Sequence, residues 1–224
     1  MKALLTSFGI SNKSIEAEMW RLLGGQRNGV KLLFCTTASN YSGGEMNAWV
    51  IEDLLRFRDL GFVIDICDIN GIGKERFLPR FEQAEVLFFE GGEPQWLKKC
   101  METSGFLEEL PRLLQRKLWV GQSAGSMVLC PRLCNSCHDL FGESVANLPC
   151  DGLGLVDFQF IPHLNNSYFP KLLAEHLESA AKKLTSADGK KLYVCDDSGA
   201  VSVESSNVKV ISEGVVMARE ITQT

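Results

Sequence analysis

Short apolar runs alternate with helix-compatible segments along most of this chain. The runs at residues 2–7, 30–35, 62–66 and 85–89 are nearly continuous, with few interspersed polar residues. Continuous apolar strands separated by helices are typical of a parallel sheet that is covered on both faces. The sequence therefore predicts an α/β fold with a mostly parallel central sheet. The segments predicted as helices are 12–24, 48–60, 94–101 and 106–115.

The last third of the chain has a different pattern. Residues 168–184 are predicted to form one long amphipathic helix, and short strands are predicted at 192–195, 200–203 and 208–211. Turn residues join these strands, which indicates an antiparallel or mixed edge on the sheet. The sequence contains neither an internal repeat nor a linker, and 224 residues suit a single domain spanning 1–224.

Charge and hydropathy exclude several classes of partner. The chain has 23 Lys and Arg against 28 Asp and Glu, a formal net charge of -5. A basic stripe that could neutralise phosphates is absent, so neither a nucleic-acid nor a membrane partner is expected. The apolar runs fall short of the ~20 residues needed to span a bilayer. The N-terminal apolar stretch is also too short for a signal peptide, which predicts a cytoplasmic location.

Eight cysteines are many for such a chain. Cys35, Cys67 and Cys195 lie in or just after apolar runs, where a thiol acts as a small hydrophobic group. Most cysteines are therefore expected to be reduced core residues. The segment 130–138 has spacing that formally suits haem attachment or zinc, but neither export nor a second ligand pair is indicated. We expect no cofactor and no metal, and treat this cluster as coincidence. Its residues are Cys130, Cys134, Cys137 and His138.

The segment from Leu118 to Cys130 is the strongest candidate for chemistry. An apolar run leads into Gly-Gln-Ser-Ala-Gly, and a helix-compatible segment follows. A strand, G-x-S-x-G and a helix in this order are the context of a nucleophile elbow, with Ser123 as the nucleophile. The N–H of Ala124 would then point at an oxyanion. The alternative is a Gly-rich turn without chemistry.

A serine nucleophile needs a base, and the chain offers three histidines. His176 lies among charged residues of a predicted helix, and His138 lies in the Cys-rich segment. His163 follows the apolar run 158–162, at the end of a predicted strand, where sites of α/β sheets assemble. His163 is therefore the candidate base, with a hydrogen-bonded turn histidine as the alternative.

A second glycine turn follows the strand at 85–89. Gly91 and Gly92 lie between this strand and a predicted helix start at Pro94. Glycines at such a place leave backbone N–H groups approachable, as an oxyanion hole requires. The alternative is an ordinary βα turn. A phosphate loop is excluded because the G-x-x-x-x-G-K-[ST] spacing is absent.

Three stretches of the sequence, taken together, resemble a known family of enzymes. Residues 88–97 (FFEGGEPQWL), 121–125 (GQSAG) with Cys130-Pro131, and 154–166 resemble the peptidase E family of serine peptidases. That family includes aspartyl dipeptidase and, more distantly, cyanophycinase. The resemblance implies a three-layer α/β/α sandwich, flavodoxin-like and akin to class I glutamine amidotransferases. It also implies hydrolysis of a short peptide, such as a dipeptide with an N-terminal acidic residue.

The family's functional residues can be carried over to matching positions. Ser123 becomes the nucleophile and His163 the base, while the N–H groups of Gly92 and Ala124 become the oxyanion donors. The neighbouring candidates for oxyanion or substrate binding are Gly91, Glu93 and Asn165.

The acidic partner of His163 stays open among three residues. The family places an aspartate some fifteen residues after the serine, which Asp139 matches with a one-residue shift. Family members also often carry a late glutamate, and Ser198 stands in its place here. Asp197 or Asp196 could substitute, because the role is to orient the imidazole and stabilise its cation.

Two departures from the family leave other functions open. Glu93 replaces an asparagine, and its carboxylate would repel an acidic substrate side chain. Together with Ser198, it allows a catalytically impaired scaffold that binds a peptide or an amino acid. A small α/β-hydrolase esterase is a further alternative, although the upstream His-Gly oxyanion string is missing. A monomer and a homodimer both remain possible.

Overall fold

A computed structural model describes residues 1–25, 28–41, 48–133, 140–141, 148–173, 177 and 186–221. The described strands are β1 (Lys2–Thr6), β2 (Lys31–Cys35), β3 (Val63–Cys67), β4 (Val86–Phe89), β5 (Leu118–Gln122), β6 (Phe158–Ile161), β7 (Lys191–Cys195), β8 (Gly199–Glu204), β9 (Asn207–Ser212) and β10 (Val216–Glu220). The described α-helices are α1 (Lys13–Leu22), α2 (Ala48–Asp59), α3 (Lys74–Gln83), α4 (Pro94–Thr103), α5 (Phe106–Leu113) and α6 (Ala124–Met127).

Seven strands form the main sheet in the order β3-β2-β4-β5-β1-β8-β9. The pairs among β1 to β5 are all parallel, whereas β8 pairs antiparallel with β1 and β9 antiparallel with β8. The prediction of a mostly parallel sheet with an antiparallel edge is confirmed. All parallel strands end at the same edge, which brings the turns after β1, β4 and β5 together.

A smaller sheet has the order β10-β7-β6. β6 and β7 run parallel, and β10 runs antiparallel to β7. The prediction that the strand at 192–195 belongs to the edge of the main sheet is wrong. β8 and β9 form that side of the sheet instead, because β8 pairs with β1 over all five residues of β1 and β9 pairs with β8 at the edge. β7 pairs with β6 and the unpredicted β10.

The main sheet separates two apolar layers. Successive residues of β4 face opposite sides, so Phe88 packs in one layer and Phe89 in the other. Phe89 stacks on Trp119 with ring centroids 3.8 Å apart. Burial of one such side chain contributes roughly 1.5–3 kcal/mol. The Trp119 indole N–H also donates to Gly125 O at 3.0 Å, which joins the core to the turn after β5.

Two predictions about helices were wrong. α3 was missed because it is mostly polar, contains Pro79, and buries only Phe77 and Phe81. The predicted helix over 168–184 does not begin where expected, since Pro170–Leu172 form one 3₁₀ turn and the next residue is extended with ψ 141°. Residues 174–176 and 178–184 of that prediction lie outside the described residues.

The described cysteines are mainly core residues. Cys150 is disulfide-bonded, and five other thiols are free and buried. Within the described ranges, no cluster of three metal-ligating side chains occurs, and no helix is long and apolar enough to cross a membrane. Cys134, Cys137 and His138 lie outside those ranges. The five free thiols are Cys35, Cys67, Cys100, Cys130 and Cys195.

Candidate active site

Two serines lie side by side at the carboxyl edge of the main sheet. β1 and β5 are neighbours, and their last residues, Thr6 and Gln122, are opposite each other. Ser7 and Ser123 directly follow these residues. The Ser123 N–H donates to Thr6 O at 3.0 Å, so the ladder between the strands continues into the turn. The strand register therefore places Ser7 and Ser123 next to each other.

Ser123 has a strained backbone. Its φ of 45° and ψ of -105° lie outside the regions that residues with a Cβ ordinarily occupy. The surrounding turn is tightly packed, because a Cβ on Gly121 would lie 2.3 Å from Gly125 O and a Cβ on Gly125 would lie 2.0 Å from Phe89 O. Only glycine fits at these two positions. The strand, strained turn and helix expected from G-x-S-x-G are all present.

His163 reaches Ser123 from the smaller sheet. It follows the end of β6, has φ 65° and is 7 % exposed. His163 Nε2 lies 3.0 Å from Ser123 Oγ, and His163 Nδ1 lies 2.7 Å from Asp197 Oδ1. When Nδ1 carries the proton, it donates to Asp197, and Nε2 accepts from the Ser123 hydroxyl. These are the hydrogen bonds that a Ser–His–Asp arrangement requires.

Asp197 is held by further donors. Asn166 Nδ2 donates to Asp197 Oδ2 at 2.7 Å, and Ser7 Oγ donates to Asp197 Oδ1 at 3.1 Å. Burial opposes ionisation of this carboxyl, but the hydrogen bonds from His163, Asn166 and Ser7 outweigh it. The pKa of Asp197 is therefore below its ordinary value, and the carboxylate is ionised at neutral pH.

Four residues of this arrangement were not singled out from the sequence. Ser7 and Asn166 donate to Asp197, while Phe169 stacks on the His163 ring at 5.0 Å and Phe8 meets that ring edge-on. Ser7 could have been found from its place after the first apolar run. The contacts of Asn166 and Phe169 depend on how the segment 163–172 folds back on itself.

The two other candidate acids do not take this role in the described structure. Asp196 accepts the backbone N–H groups of Ser198 and Val215, so its carboxylate stabilises the turn beside β8 and β10. Asp139 lies outside the described residues. Of the acids considered from the sequence, Asp197 is the one that contacts His163.

The glycine turn after β4 lies next to Ser123. A Cβ on Gly91 would be 3.6 Å from the Ser123 Cβ. Gly92 has φ 130°, and a Cβ there would lie 2.3 Å from Ala38 O, so glycine is required. Among the described residues, the N–H groups of Gly92 and Ala124 donate to no other protein atom. They are therefore available to a bound group.

Glu93 and Asn165 have local structural partners. Glu93 is 2 % exposed, and its side chain caps α4 by accepting the Gln95 N–H at 2.9 Å. Asn165 is exposed with φ 61°, and its backbone N–H donates to Leu172 O. A substrate-binding role for either side chain stays a prediction.

Solved structures of similar fold cover nearly the whole chain. A candidate peptidase E protein from Listeria monocytogenes EGD-e matches with TM-score 0.77 and 20 % identity, over 95 % of this chain and 98 % of that chain. A peptidase from an acI-B1 Actinobacterium matches with TM-score 0.69 and 18 % identity, over 99 % and 94 % of the two chains. These matches confirm the predicted α/β fold of the class I glutamine amidotransferase type.

Sequence relatives point to the same group of proteins. An uncharacterized peptidase of Listeria monocytogenes serovar 1/2a is 25 % identical over 160 residues, which cover 69 % of this chain and 76 % of the relative. Peptidase E of Nostoc sp. is 24 % identical over 163 residues, which cover 71 % of this chain and 64 % of the relative. The family model described as Peptidase family S51 matches residues 3–211. Because that match spans nearly the whole chain, the protein belongs to peptidase family S51.

Proposed function

We propose that this protein is a serine peptidase that hydrolyses short peptides through an acyl-enzyme. The observation that carries this proposal is the hydrogen-bonded series from Ser123 Oγ through His163 to Asp197, with distances of 3.0 and 2.7 Å. Membership of a peptidase family supports the reaction class. In this proposal Ser123 is the nucleophile, His163 the general base and Asp197 the residue that orients the imidazole.

Acylation uses both nitrogens of His163. Ser123 Oγ attacks the peptide carbonyl carbon while its proton passes to His163 Nε2. The imidazolium that forms is stabilised by Asp197, which stays ionised. The carbonyl oxygen becomes an oxyanion, and the free N–H groups of Gly92 and Ala124 are its donors. The C–N bond then breaks as His163 returns the proton to the leaving amine.

Deacylation repeats these steps with water. His163 takes a proton from a water molecule, whose oxygen attacks the acyl carbon. The tetrahedral intermediate collapses, the bond to Ser123 Oγ breaks, and the proton returns to that oxygen. The products are a carboxylic acid and a regenerated hydroxyl, and this chemistry needs no further reactant besides water.

The substrate we propose is a dipeptide, with an N-terminal Asp as the first to test. The resemblance to peptidase E carries this choice, and the Nostoc relative has that name. The structure also gives Glu93 a local role. Because its carboxylate caps α4 and is 2 % exposed, it is already engaged at the helix start. This weakens the argument that Glu93 repels an acidic substrate.

The test measures release of free amino acids from two sets of dipeptides, one with an N-terminal Asp and one with other N-terminal residues. We expect cleavage by the native chain and loss of activity by orders of magnitude in Ser123→Ala. The matched control is Ser206→Ala, because Ser206 is exposed in the turn between β8 and β9. Circular dichroism establishes that both variants are folded.

A fluorophosphonate probe separates the alternatives. Labelling at Ser123 that depends on His163 is expected, and it would exclude the catalytically impaired scaffold. Hydrolysis of activated esters without any dipeptide cleavage would favour the esterase. A folded protein that neither reacts with the probe nor cleaves a peptide would contradict the proposal.

A further inference from the structure

Two buried carboxyl groups lie behind the glycine turn and take no part in the proposed reaction. Asp53, on α2, is 2 % exposed, and Glu90, directly after β4, is 0 % exposed. The two side chains are in hydrogen-bonding contact with each other. Isolated buried carboxylates are costly, so this pair requires a physical explanation.

One oxygen of each carboxyl has a clear partner. Glu90 Oε1 accepts the N–H of Gly91 at 3.1 Å. Asp53 Oδ1 accepts from Arg56 at 2.7 Å. The other two oxygens, Asp53 Oδ2 and Glu90 Oε2, are buried without a donor from any other group. A single proton between them would satisfy both oxygens, because one would then donate to the other.

The Asp53–Glu90 pair contacts three segments that surround Ser123 in space. The amide of Gln122, the residue before Ser123, lies against Asp53. Gly9 closes the cluster from the loop after β1, since a Cβ there would lie 2.4 Å from Gln122 Oε1 and 2.9 Å from Asp53 Oδ1. The carboxyl pair therefore touches the glycine turn, the end of β5 and the loop that carries Ser7.

The charges around the pair favour one proton. From α2, Arg56 faces both carboxyl groups and Glu52 acts on Asp53, while the loop after β1 and the end of β5 contribute only uncharged groups. Burial raises the pKa of Asp53 to about 6. Burial and then the charge of Asp53 raise the pKa of Glu90 well above its ordinary value. Asp53 is thus the ion-paired partner of Arg56, and Glu90 is the carboxylic acid.

We propose that Asp53 and Glu90 share one proton, and that this hydrogen bond fixes the Gly91–Gly92 turn beside Ser123. Glu90 is then a positioning residue, acting through the backbone that supplies the Gly92 N–H. The positioning part of this inference rests on the proposed function, whereas the shared proton does not. A neutral Glu90 also keeps a second negative charge away from the oxyanion that forms at Ser123.

The proton can be detected directly by infrared difference spectroscopy at neutral pH. We expect a carboxylic acid C=O band in the native protein that is absent in Glu90→Gln, because the remaining Asp53 stays ion-paired with Arg56. In Asp53→Asn the band should remain and shift, since its acceptor changes from a carboxylate to an amide. Asp59→Asn, at the exposed end of α2, should leave the band unchanged.

The positioning role is tested by the rate of Ser123 labelling with a fluorophosphonate. Glu90→Gln keeps an acceptor for the Gly91 N–H and a donor for Asp53, so it should label within about twofold of the native rate. Glu90→Leu has similar volume but lacks both bonds, so its rate should fall roughly tenfold. Asp59→Asn should label at the native rate.

The shared proton and the positioning role of Glu90 are refuted by different outcomes. A native spectrum without the band, or a band unchanged in both Glu90→Gln and Asp53→Asn, would overturn the shared proton. If Glu90→Gln does not fold, the Asp53→Asn shift still decides that question. Folded Glu90→Leu that labels at the native rate would overturn the positioning role. If the fluorophosphonate labels neither the native protein nor any variant, the proposed function fails. The infrared spectrum still tests the shared proton, because it does not depend on that function.

Discussion

The hydroxyl of Ser7 accepts the backbone N–H of His163 at 2.8 Å. The same hydroxyl donates to Asp197 Oδ1 at 3.1 Å. One residue at the end of β1 therefore joins the backbone of the proposed base to the side chain of its acidic partner. Since His163 and Asp197 come from the smaller sheet, Ser7 also connects that sheet to the strand beside Ser123.

This connection predicts the effect of Ser7→Ala. The substitution removes both hydrogen bonds, leaves the His163 N–H without its acceptor and frees the imidazole to shift. We expect kcat for the cleaved dipeptide to fall about tenfold, which corresponds to about 1.4 kcal/mol. KM should change little, because Ser7 holds the base and not the substrate. An unchanged kcat in Ser7→Ala, measured beside Ser206→Ala, would show that the connection is not needed.

Asp197→Asn should lower activity, whereas Asp196→Asn should mainly lower stability. In the first, an amide can donate to Nδ1 and favour the wrong tautomer, so kcat should fall roughly 10³-fold or more. In the second, the turn loses the acceptor for the N–H groups of Ser198 and Val215. We expect a lower Tm with kcat within a few-fold of native. Asp139→Asn should retain activity, and a loss there equal to that of Asp197→Asn would assign the acid to Asp139.

The pH dependence of stability should report the lowered pKa of Asp197. Burial acts against ionisation, but the bonds from His163, Asn166 and Ser7 keep the folded-state pKa below the unfolded value. Such a group stabilises the fold fully above the unfolded pKa, and the contribution is lost as pH falls through the folded pKa. The difference in unfolding free energy between native protein and Asp197→Asn should therefore be constant above about pH 5 and shrink below about pH 4. Urea unfolding at several pH values measures it, and a difference that grows on acidification would contradict the assignment.

Gly92→Ala should be much more harmful than an alanine at another glycine with positive φ. At Gly92 the new Cβ would lie 2.3 Å from Ala38 O, in addition to the strain at φ 130°. Gly24 has φ 76° and nothing within 4 Å of a Cβ. We expect about 1 kcal/mol of destabilisation in Gly24→Ala with normal activity. For Gly92→Ala we expect more than about 3 kcal/mol, together with loss of Ser123 labelling. Equal Tm values for the two variants would show that the turn accommodates a Cβ at Gly92, which would contradict this prediction.

The strands and most helices could be predicted because their signals are local. Continuous apolar runs identify β1 to β5, and the glycine after α2 and the Asn12 cap of α1 are readable from neighbouring residues. α3 was missed because its two buried rings are a weak periodic signal. The helix prediction for residues 168–173 was wrong because Phe169, directly before the 3₁₀ turn, stacks on His163. This tertiary contact overrides the local helical periodicity.

The sequence could predict that Ser123, His163 and the glycine turn lie close together, since each directly follows an apolar run and strand ends of an α/β sheet converge. It could not predict which carboxylate contacts His163. Asp196 and Asp197 are adjacent, and only the pairing of β6 with β7 decides which carboxylate faces His163 and which faces the turn. Ser7, Asn166 and the Asp53–Glu90 pair were equally hidden. Hydrogen bonds between segments far apart in the chain depend on distance in space, and only the folded arrangement determines that distance.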